Sequence, residues 1–383
     1  MQLVESSDSL KGSTMKKTLI VAAVAASFAT AANAQSSVTL YGLIDAGFTY
    51  VNNEVAPGSD KGSAAAFRLS SGNLNGSRWG LRGVEDLGGG MKAIFTLENG
   101  FSMGDGKTQQ NGGQFGRQAY AGISTANMGT VTLGRQYDSV VDYLGPMSAT
   151  GSWGGTFFAH PGDLDNLNGS VRTNNAVKYQ SANYGGLTFG GLYGFSNQAG
   201  GFANNRAYSA GLQYANGPFK IAAAYLQGQN TNATGFGAVT ESHLAAQTQR
   251  TFGVGANYAI GPVVLGGVWT QSRFQDSGLS STDRYNNYEL NARYALTPAL
   301  AVGAAYTYTD AKGSRVGGDN DRARFHQVGL QTDYSLSKRT DIYAEGIVQL
   351  AKSGAEAQVF TAGQAVSAHG NQVVISTGIR HRF

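Results

Sequence analysis

Strict alternation between apolar and polar side chains constrains this chain more than any other feature of its sequence. The pattern runs through residues 38–50, 287–294 and 300–308, and it returns in residues 373–383, where the chain ends on Phe383. Successive side chains of a β-strand point to opposite faces, so a period of two indicates strands with two unlike faces. The final stretch follows the same rule and places Phe383 on the apolar face.

Tyrosines recur at one position relative to short turns. Each stands just before a tight turn built from pairs such as Asn-Gly, Gly-Pro or Thr-Pro, and a second alternating run follows. The tyrosines are 35 to 44 residues apart, separated by polar stretches of variable length. A tyrosine suits a membrane interface because its ring can be half buried while its hydroxyl contacts water. The sequence therefore predicts an aromatic girdle at the turn end. Its predicted members are Tyr179, Tyr214, Tyr258, Tyr294 and Tyr334.

The number of short turns gives the number of strands. Seven turns are predicted near residues 86–90, 125–129, 182–186, 216–218, 260–262, 296–298 and 335–340. They join fourteen strands, and the first and last strands of the chain raise the total to sixteen. An even number of antiparallel strands with adjacent ends can close into a barrel that has no exposed edge.

Composition narrows this prediction to one class. The chain has 55 Gly, 19 Tyr, 18 Phe and no Cys, and after residue 34 no apolar run is long enough for a membrane-spanning helix. Sixteen strands enclose more space than side chains can fill, so we expect an aqueous interior. The sequence therefore predicts an all-β fold, a 16-stranded antiparallel transmembrane β-barrel with short periplasmic turns and long outer loops.

The N-terminal residues predict export. Met15, Lys16 and Lys17 begin a positively charged segment, a short apolar stretch follows, and Ala32-Asn33-Ala34 resembles a cleavage site. We expect residues 15–34 to be a signal peptide, residues 1–14 an upstream extension and residues 35–383 the barrel domain. The net charge of +4 is too mild and too scattered to suggest nucleic acid as a partner.

One connection, residues 138–175, is far longer than a turn. Loops of this length are uncommon and are usually functional. This one carries Trp153, Phe157 and Phe158, which a loop projecting into solvent would not display. We expect it to fold into the barrel against the channel wall and to constrict the pore. The acids that it would present are Asp138, Asp142, Asp163 and Asp165.

Cations cluster on the strands that flank this loop. Arginine stays charged at every relevant pH, so a basic wall facing an acidic loop would create a transverse field and set ion preference. Strict alternation places Arg135 on the lipid side with Val131 and Leu133, so it points inward only if a bulge intervenes. The alternative interpretation is that these cations are ordinary solvated residues of the lumen and have no special role. The predicted wall is Arg78, Arg82, Arg117, Arg135, Arg172 and Lys178.

Several motifs in the same order resemble a known family. SSVTLYGLIDAGFTYVNN, SRWGLRGVEDLGGGMKAIFTLENGF, GTVTLGRQYD and the final GIRHRF are similar to the general-diffusion porins of Gram-negative outer membranes, in particular their β-proteobacterial branch. The resemblance implies passive diffusion of ions and small hydrophilic solutes through a pore that is narrowed by its third loop. It also implies a homotrimer in outer-membrane lipid and lipopolysaccharide, and a terminal Phe383 that the barrel-insertion machinery reads.

The family's arginine ladder matches Arg78, Arg135 and Arg172, with Arg117 as a further candidate, and this favours the bulge at Arg135. The acidic side matches less well. Enterobacterial members carry Pro-Glu-Phe-Gly in the loop, whereas this chain has GSWGG, which contains no carboxylate. Asp163 and Asp165 are the candidate substitutes. The shortage of acids leads to the hypothesis of a weak anion preference.

Three other functions remain as alternatives. An outer-membrane enzyme is disfavoured because the five histidines have no adjacent Ser pattern and show no metal-ligand spacing, and no cofactor is expected. A substrate-specific channel, for a sugar or an anionic solute, is the stronger alternative, because Trp153, Phe157 and Phe158 could begin an aromatic ladder. A surface adhesin would use the long outer loops.

Overall fold

The computed structural model describes residues 36–56, 58, 62–232, 237–275, 282–316, 321–360 and 366–383. The predicted signal peptide and the upstream extension therefore lie outside the described residues. Within them the chain forms seventeen strands in one antiparallel sheet. The strands are Ser37–Val55 (β1), Ser63–Ser71 (β2), Arg78–Gly88 (β3), Met91–Gly100 (β4), Gln118–Thr125 (β5), Gly129–Gln136 (β6), Thr173–Gln180 (β7), Leu187–Gly194 (β8), Ala207–Asn216 (β9), Phe219–Gln229 (β10), Thr248–Ile260 (β11), Val263–Gln275 (β12), Thr282–Ala295 (β13), Leu300–Lys312 (β14), Arg322–Ser335 (β15), Thr340–Lys352 (β16) and Asn371–Arg382 (β17).

The sheet closes on itself between its first and last strands. Leu43 to Val51 of β1 pair with Arg382 to Val374 of β17, so neither end leaves a free edge. On its other side β1 pairs with β3 through its first half and with β2 through its second half. Because β2 and β3 share one position in the wall, the barrel has sixteen strand positions, as the sequence predicts.

All seven predicted short turns join the strands that the sequence assigns to them. The connection from β9 to β10 is Gly217-Pro218, and Gly217 has a φ of +56°, a conformation that glycine adopts without steric cost. The connections at the other end of the barrel are longer. The longest one that the structure describes in full, residues 137–172, lies inside the barrel.

The two faces of the wall follow the alternation of the sequence. Outward side chains are apolar and exposed, such as Leu40 at 59%, Leu69 at 68% and Leu290 at 70%. The predicted girdle tyrosines also lie on this face, and Tyr179 donates a hydrogen bond to the Met128 carbonyl, 2.7 Å away, in a neighbouring turn. Among the described residues, no helix is long and apolar enough to cross a membrane.

The chain end is part of this outward face. The Phe383 amide donates to the Gly42 carbonyl at 3.0 Å, and the Gly42 amide donates back at 3.1 Å. Its ring lies over Gly42, where any Cβ would collide with it. Phe383 remains 45% exposed, so it is the last outward residue of the closing strand, as the alternation predicts.

The long internal loop packs against two parts of the wall. Val140, Tyr143, Leu144 and Met147 fit against small and apolar side chains of β10 and β12. Further along, Phe157 and Phe158 are 2% and 3% exposed in a cluster with residues of β1, β14, β16 and β17. Burying a Phe side chain contributes about 1.5–3 kcal/mol, so these rings account for much of the attachment of the loop.

Candidate pore constriction

A water-accessible cavity of about 740 Å³ separates the loop from the wall formed by β2 to β7. The wall contributes Arg68, Arg78, Arg117 and Arg172 to its lining. The loop contributes neutral residues, among them Pro146, Thr150, Asn168 and Ser170. In the described part of the chain, no carboxylate lines this space. The narrow part of the channel is therefore basic on one side and neutral on the other.

Three of the arginines gather around one tyrosine that follows β6. Arg117 Nη2 and Arg172 Nη2 donate to the Tyr137 hydroxyl at 2.8 and 3.0 Å, and the Arg172 guanidinium lies 5.0 Å from the centre of the Tyr137 ring. Burial alone would raise the pKa of Tyr137, but the positive charges of Arg117, Arg172 and Arg78 outweigh burial and lower it. Tyr137 thus accepts from both guanidinium groups and holds these two like charges close together.

Glu98 supports this group from behind. Arg117 Nε donates to Glu98 Oε1 at 2.8 Å, and the Tyr41 hydroxyl donates to Glu98 Oε2 at 2.9 Å. Glu98 is 3% exposed and does not line the cavity, so its charge fixes Arg117 without being presented to a solute. The alternation in β4 places Glu98 on the inward face with Thr96, and this signal in the sequence would have identified it.

The other predicted basic residues occupy different places. Arg82 lies on the inward face of β3, with its guanidinium 4.1 Å from the centre of the Tyr41 ring, and does not line the cavity. Lys178 forms an ion pair with Asp142 of the loop and donates to the Tyr137 carbonyl at 3.0 Å. Of the six predicted wall residues, the structure brings Arg78, Arg117 and Arg172 together at the cavity.

Arg135 lies at the predicted irregularity but not in the cavity. The pairing of β6 with β7 shifts register between Gly134 and Gln136, and Gly134 has a φ of +138°. The Arg135 guanidinium ion-pairs with Glu241 at 2.7 Å and hydrogen-bonds Asn174. A bulge is present, as the resemblance implies, yet Arg135 lines a separate space of about 390 Å³ rather than the arginine cavity.

The loop acids do not face the arginines, and this corrects the expectation of an acidic loop opposite a basic wall. Asp138 caps the loop backbone, accepting from the Val140 amide at 2.7 Å. Asp142 pairs with Lys178, and burial raises its pKa to about 6. Asp163 and Asp165 are 1% and 0% exposed, behind the loop. The physical reason is that the acids find partners away from the cavity. Asp138 is bound by Asn166 within the loop, Asp142 by Lys178 of β7, and Asp165 by Thr270 and Asn287 of β12 and β13, so the loop presents a neutral face to the pore.

Asp165 belongs to a buried network between the loop and the wall. His160 Nδ1 lies 2.6 Å from Asp165 Oδ2, and His160 Nε2 lies 3.1 Å from Glu289 Oε2 on β13. Thr270 and Asn287 also donate to Asp165 Oδ2, at 2.5 and 3.1 Å. Buried charges are stable only when they are paired in this way. The network therefore ties the loop to the wall opposite the arginines.

This network predicts that the loop is held more weakly at alkaline pH. Burial would lower the pKa of His160, but Asp165 and Glu289 raise it to about 10. The stabilisation of the attached loop by protonated His160 is therefore complete at a pH below about 6.5, the ordinary pKa of histidine. It is lost as the pH rises through about 10. Burial, followed by the charge of Asp165, raises the pKa of Asp163 to about 7. The protonated form of Asp163 also favours the packed loop. This contribution is complete below about pH 4 and is lost as the pH rises through about 7.

Because both contributions change in the same direction, we expect open-channel current noise to increase from pH 6 to pH 10. Single-channel recording at pH 6, 8 and 10 measures this. Asp163→Asn should remove the part of the increase that lies near pH 7 and keep the part near pH 10. Noise that is independent of pH in the unmodified protein would contradict this account of the network.

The loop aromatics anchor the loop and do not form a ladder along the solute path. Phe158 packs edge-to-face on Trp153, with ring centres 5.0 Å apart, and the two rings rest on Gly329 of β15 and Gly303 of β14. Tyr137, Glu98, His160 and Glu289 were not predicted as site residues. The alternation of β4 was the available signal for Glu98, whereas Tyr137 bonds to Arg117 and Arg172 and His160 meets Glu289 only through the closure of the barrel.

Comparison with known proteins agrees with the barrel fold. Residues 21–349 match the family model of Gram-negative porins. An outer membrane porin of Bordetella pertussis is 35% identical and outer membrane porin protein 32 of Delftia acidovorans 32% identical, each over 96% of this chain and 100% of the relative. Among solved structures, the anion-selective porin from Comamonas acidovorans superposes with a TM-score of 0.74 at 27% identity, covering 91% of this chain and 100% of that one.

The closed sixteen-position barrel, the internal loop and the matches over nearly the whole length lead to one conclusion. This chain belongs to the Gram-negative porin family and is an outer-membrane porin.

Proposed function

We propose that this porin is a general-diffusion channel that prefers anions to cations. The observation that carries the proposal is the lining of the constriction cavity, which has four arginines and, among the described residues, no carboxylate. Fixed positive charge in a narrow aqueous passage attracts anions and repels cations. The anion-selective Comamonas porin, which this chain resembles over most of its length, supports the proposal.

Reversal potentials in planar bilayers test it. With a tenfold gradient of potassium chloride we expect the zero-current potential to have the sign of a chloride-selective pore. The potential should weaken when a larger anion such as gluconate replaces chloride, because the cavity is narrow. A cation-selective potential would contradict the proposal. Saturable block of the current by one sugar would instead favour a substrate-specific channel.

We infer that the channel conducts without catalysing a reaction. His160, which has two carboxylate neighbours, is completely buried and has no access to a solute. The other described histidines of the barrel wall contact side chains typical of packing: His326 lies 2.8 Å from the Tyr306 hydroxyl, and His381 lies 2.8 Å from the Thr340 hydroxyl.

We also propose the setting in which the channel works. Cleavage after Ala34 would release residues 35–383 as the mature barrel, and its N-terminal sequence tests this. The exposed apolar outer face supports residence in lipid, with the long loops outside, and assembly as a homotrimer, which migration on a gel before and after heating would report. The exposed Phe383 at the chain end suits recognition by the barrel-insertion machinery.

A further inference from the structure

The wall of the barrel contains an extra segment beside the constriction. Leu43 of β1 pairs with Arg78, and Ala46 pairs with Ser71, so two residues of β1 face six residues of the neighbouring wall. We call these six, residues 72–77, the wall excursion. The three register shifts elsewhere in the described sheet add one residue each, whereas this one adds four. One extra residue is the usual irregularity of a sheet, so a segment of this length indicates a role beyond closing the wall.

The wall excursion points into the barrel and lines the arginine cavity. Residues 72–76 belong to the lining of that cavity. Leu74 is buried, and its backbone lies against Gly155 of the loop, where a Cβ on Gly155 would be 2.5 Å from Leu74 Cα. The excursion therefore faces solutes on one side and the constriction loop on the other.

The wall excursion contacts both sides of the constriction. On the wall side, the Gly76 carbonyl accepts from Arg78 Nε at 2.8 Å, which fixes the direction of this guanidinium. On the loop side, the Asn73 carbonyl accepts from the Thr156 amide at 2.8 Å, and the Gly72 carbonyl accepts from the Thr156 hydroxyl at 3.0 Å. Displacement of the excursion would therefore move an arginine of the cavity and the loop together.

A single carboxylate of β1 holds the wall excursion in place. Asp45 is completely buried, and its Oδ2 accepts from the amides of Leu74 and Asn75, each at 2.8 Å. Consecutive backbone amides form an anion-binding concavity, and hydrogen bonds to a charged acceptor are stronger than those between neutral groups. The Gly72 amide also donates to the Asp45 carbonyl, at 3.0 Å. Asp45 thus binds the excursion at its start and at its middle.

The other oxygen of the Asp45 carboxylate is bound from the opposite wall. The Tyr343 hydroxyl of β16 donates to Asp45 Oδ1 at 2.7 Å. Arg380 of β17 bonds to the Asn75 side chain and is ion-paired with Asp341. Asp45 lies outside the cavity lining, so it does not contact a solute in the cavity. Its contacts are those of a residue that positions other groups.

We propose that Asp45 is a positioning residue of the constriction: through the wall excursion it holds Arg78 and the loop in place on the two sides of the cavity, and it thereby maintains the anion preference. The inference rests on the proposed function. A direct effect of the carboxylate charge would have the opposite sign, because negative charge beside the passage disfavours anions and its removal would strengthen the preference. Positioning requires that its removal weaken the preference.

Reversal potentials in a tenfold gradient of potassium chloride distinguish these two effects. Asp45→Ala leaves two buried amides without an acceptor, and we expect the ratio of chloride to potassium permeability to fall about as far as in Arg78→Gln. Asp45→Asn removes the charge but keeps an oxygen to which both amides can donate, so its ratio should equal or exceed that of the unmodified channel. In an Arg78→Gln background, Asp45→Ala should add little, because both changes remove the same interaction.

Two results of this experiment would overturn the proposal. The first is a ratio in Asp45→Ala that equals or exceeds that of the unmodified channel. The second is an effect of Asp45→Ala that is equally large with and without Arg78, because Asp45 would then not act through that residue. Heat-induced migration on a gel verifies that each variant has folded. If Asp45→Ala does not fold, Asp45→Glu takes its place and should also lower the ratio, since its extra methylene displaces the excursion while the charge is kept.

A thiol measurement separates this proposal from the proposed function. The chain has no cysteine, so Gly76→Cys introduces a single thiol on the excursion, and a Cβ at Gly76 lies 3.2 Å from Arg117 Nη1 at the cavity. We expect Asp45→Ala to raise the rate of its modification by a neutral methanethiosulfonate about fivefold or more, and Asp45→Asn to leave the rate unchanged. An unchanged rate in Asp45→Ala would overturn the proposal. The expected rates in a channel without anion preference would contradict the proposed function alone.

Discussion

Replacing Arg78, Arg117 and Arg172 by Gln is expected to abolish the anion preference of the channel. These arginines line the cavity, and the loop face opposite them is neutral. Their removal leaves Arg68, which is ion-paired with Glu54, as the remaining arginine of the lining. We expect the reversal potential in a potassium chloride gradient to move to zero or to the cation-selective sign.

Arg117 needs a compensating change. Removing one partner of a buried ion pair costs about 3–5 kcal/mol, because the other charge is left unpaired. Glu98 is 3% exposed and pairs with Arg117, so Glu98→Gln should accompany Arg117→Gln. Each single replacement should move the potential by a part of the total, since all three charges act on the same passage.

Arg82→Gln is the matched control for this experiment. It removes one arginine from the inward face of the same strand, β3, but Arg82 lies away from the cavity lining. We expect a much smaller change in the potential than for Arg78→Gln. If Arg82→Gln has the same effect as Arg78→Gln, the selectivity depends on the total charge of the lumen and not on the arginine cavity.

Gly329→Val is expected to displace the constriction loop and raise the conductance. A Cβ at Gly329 would fall on the ring of Phe158, which is 3% exposed in the cluster that holds the loop. Overfilling a packed cluster costs about 1–3 kcal/mol. Since about 1.4 kcal/mol changes an equilibrium tenfold, displaced loop states should become populated. Single-channel recording should show larger and noisier currents.

Gly346→Val provides the control on the neighbouring strand, β16. The nearest atom to a Cβ at Gly346 is the Val374 carbonyl oxygen at 4.0 Å, so the new side chain meets open space on the outward face. Both changes place the same β-branched residue in a strand. Equal conductance of the two variants would show that the packing of Phe158 on Gly329 does not set the position of the loop.

Alternation and turn chemistry are local properties, and they were enough to predict the barrel. The hairpin around Gly217-Pro218 can be read from a dozen residues, because a turn with Gly at a positive φ and a period of two need no distant partner. The outward position of Phe383 also follows from local alternation. The inward position of Arg78 and Arg82 on one face of β3 was predicted for the same reason.

Contacts between distant residues decided the site. Arg117 and Arg172 meet at Tyr137 because the barrel brings the ends of β5, β6 and β7 together. Asp165 was expected at the pore, but hydrogen bonds to His160, Thr270 and Asn287 bury it behind the loop. No spacing within the loop contains this information, because two of the three partners are on β12 and β13.

The sequence by itself determined the number of strand positions in the wall, the orientation of the faces and the presence of an internal loop, since these follow from periodicity, turn residues and apolar content. The tertiary structure alone decided which face of the loop meets the arginines. Phe157 and Phe158 bury against one side of the wall and His160 pairs with Glu289, so the loop is fixed with its acids away from the pore. Burial and pairing of charges depend on contacts between distant parts of the chain. These contacts explain why the pore-facing side of the loop is neutral although an acidic one was expected from the sequence.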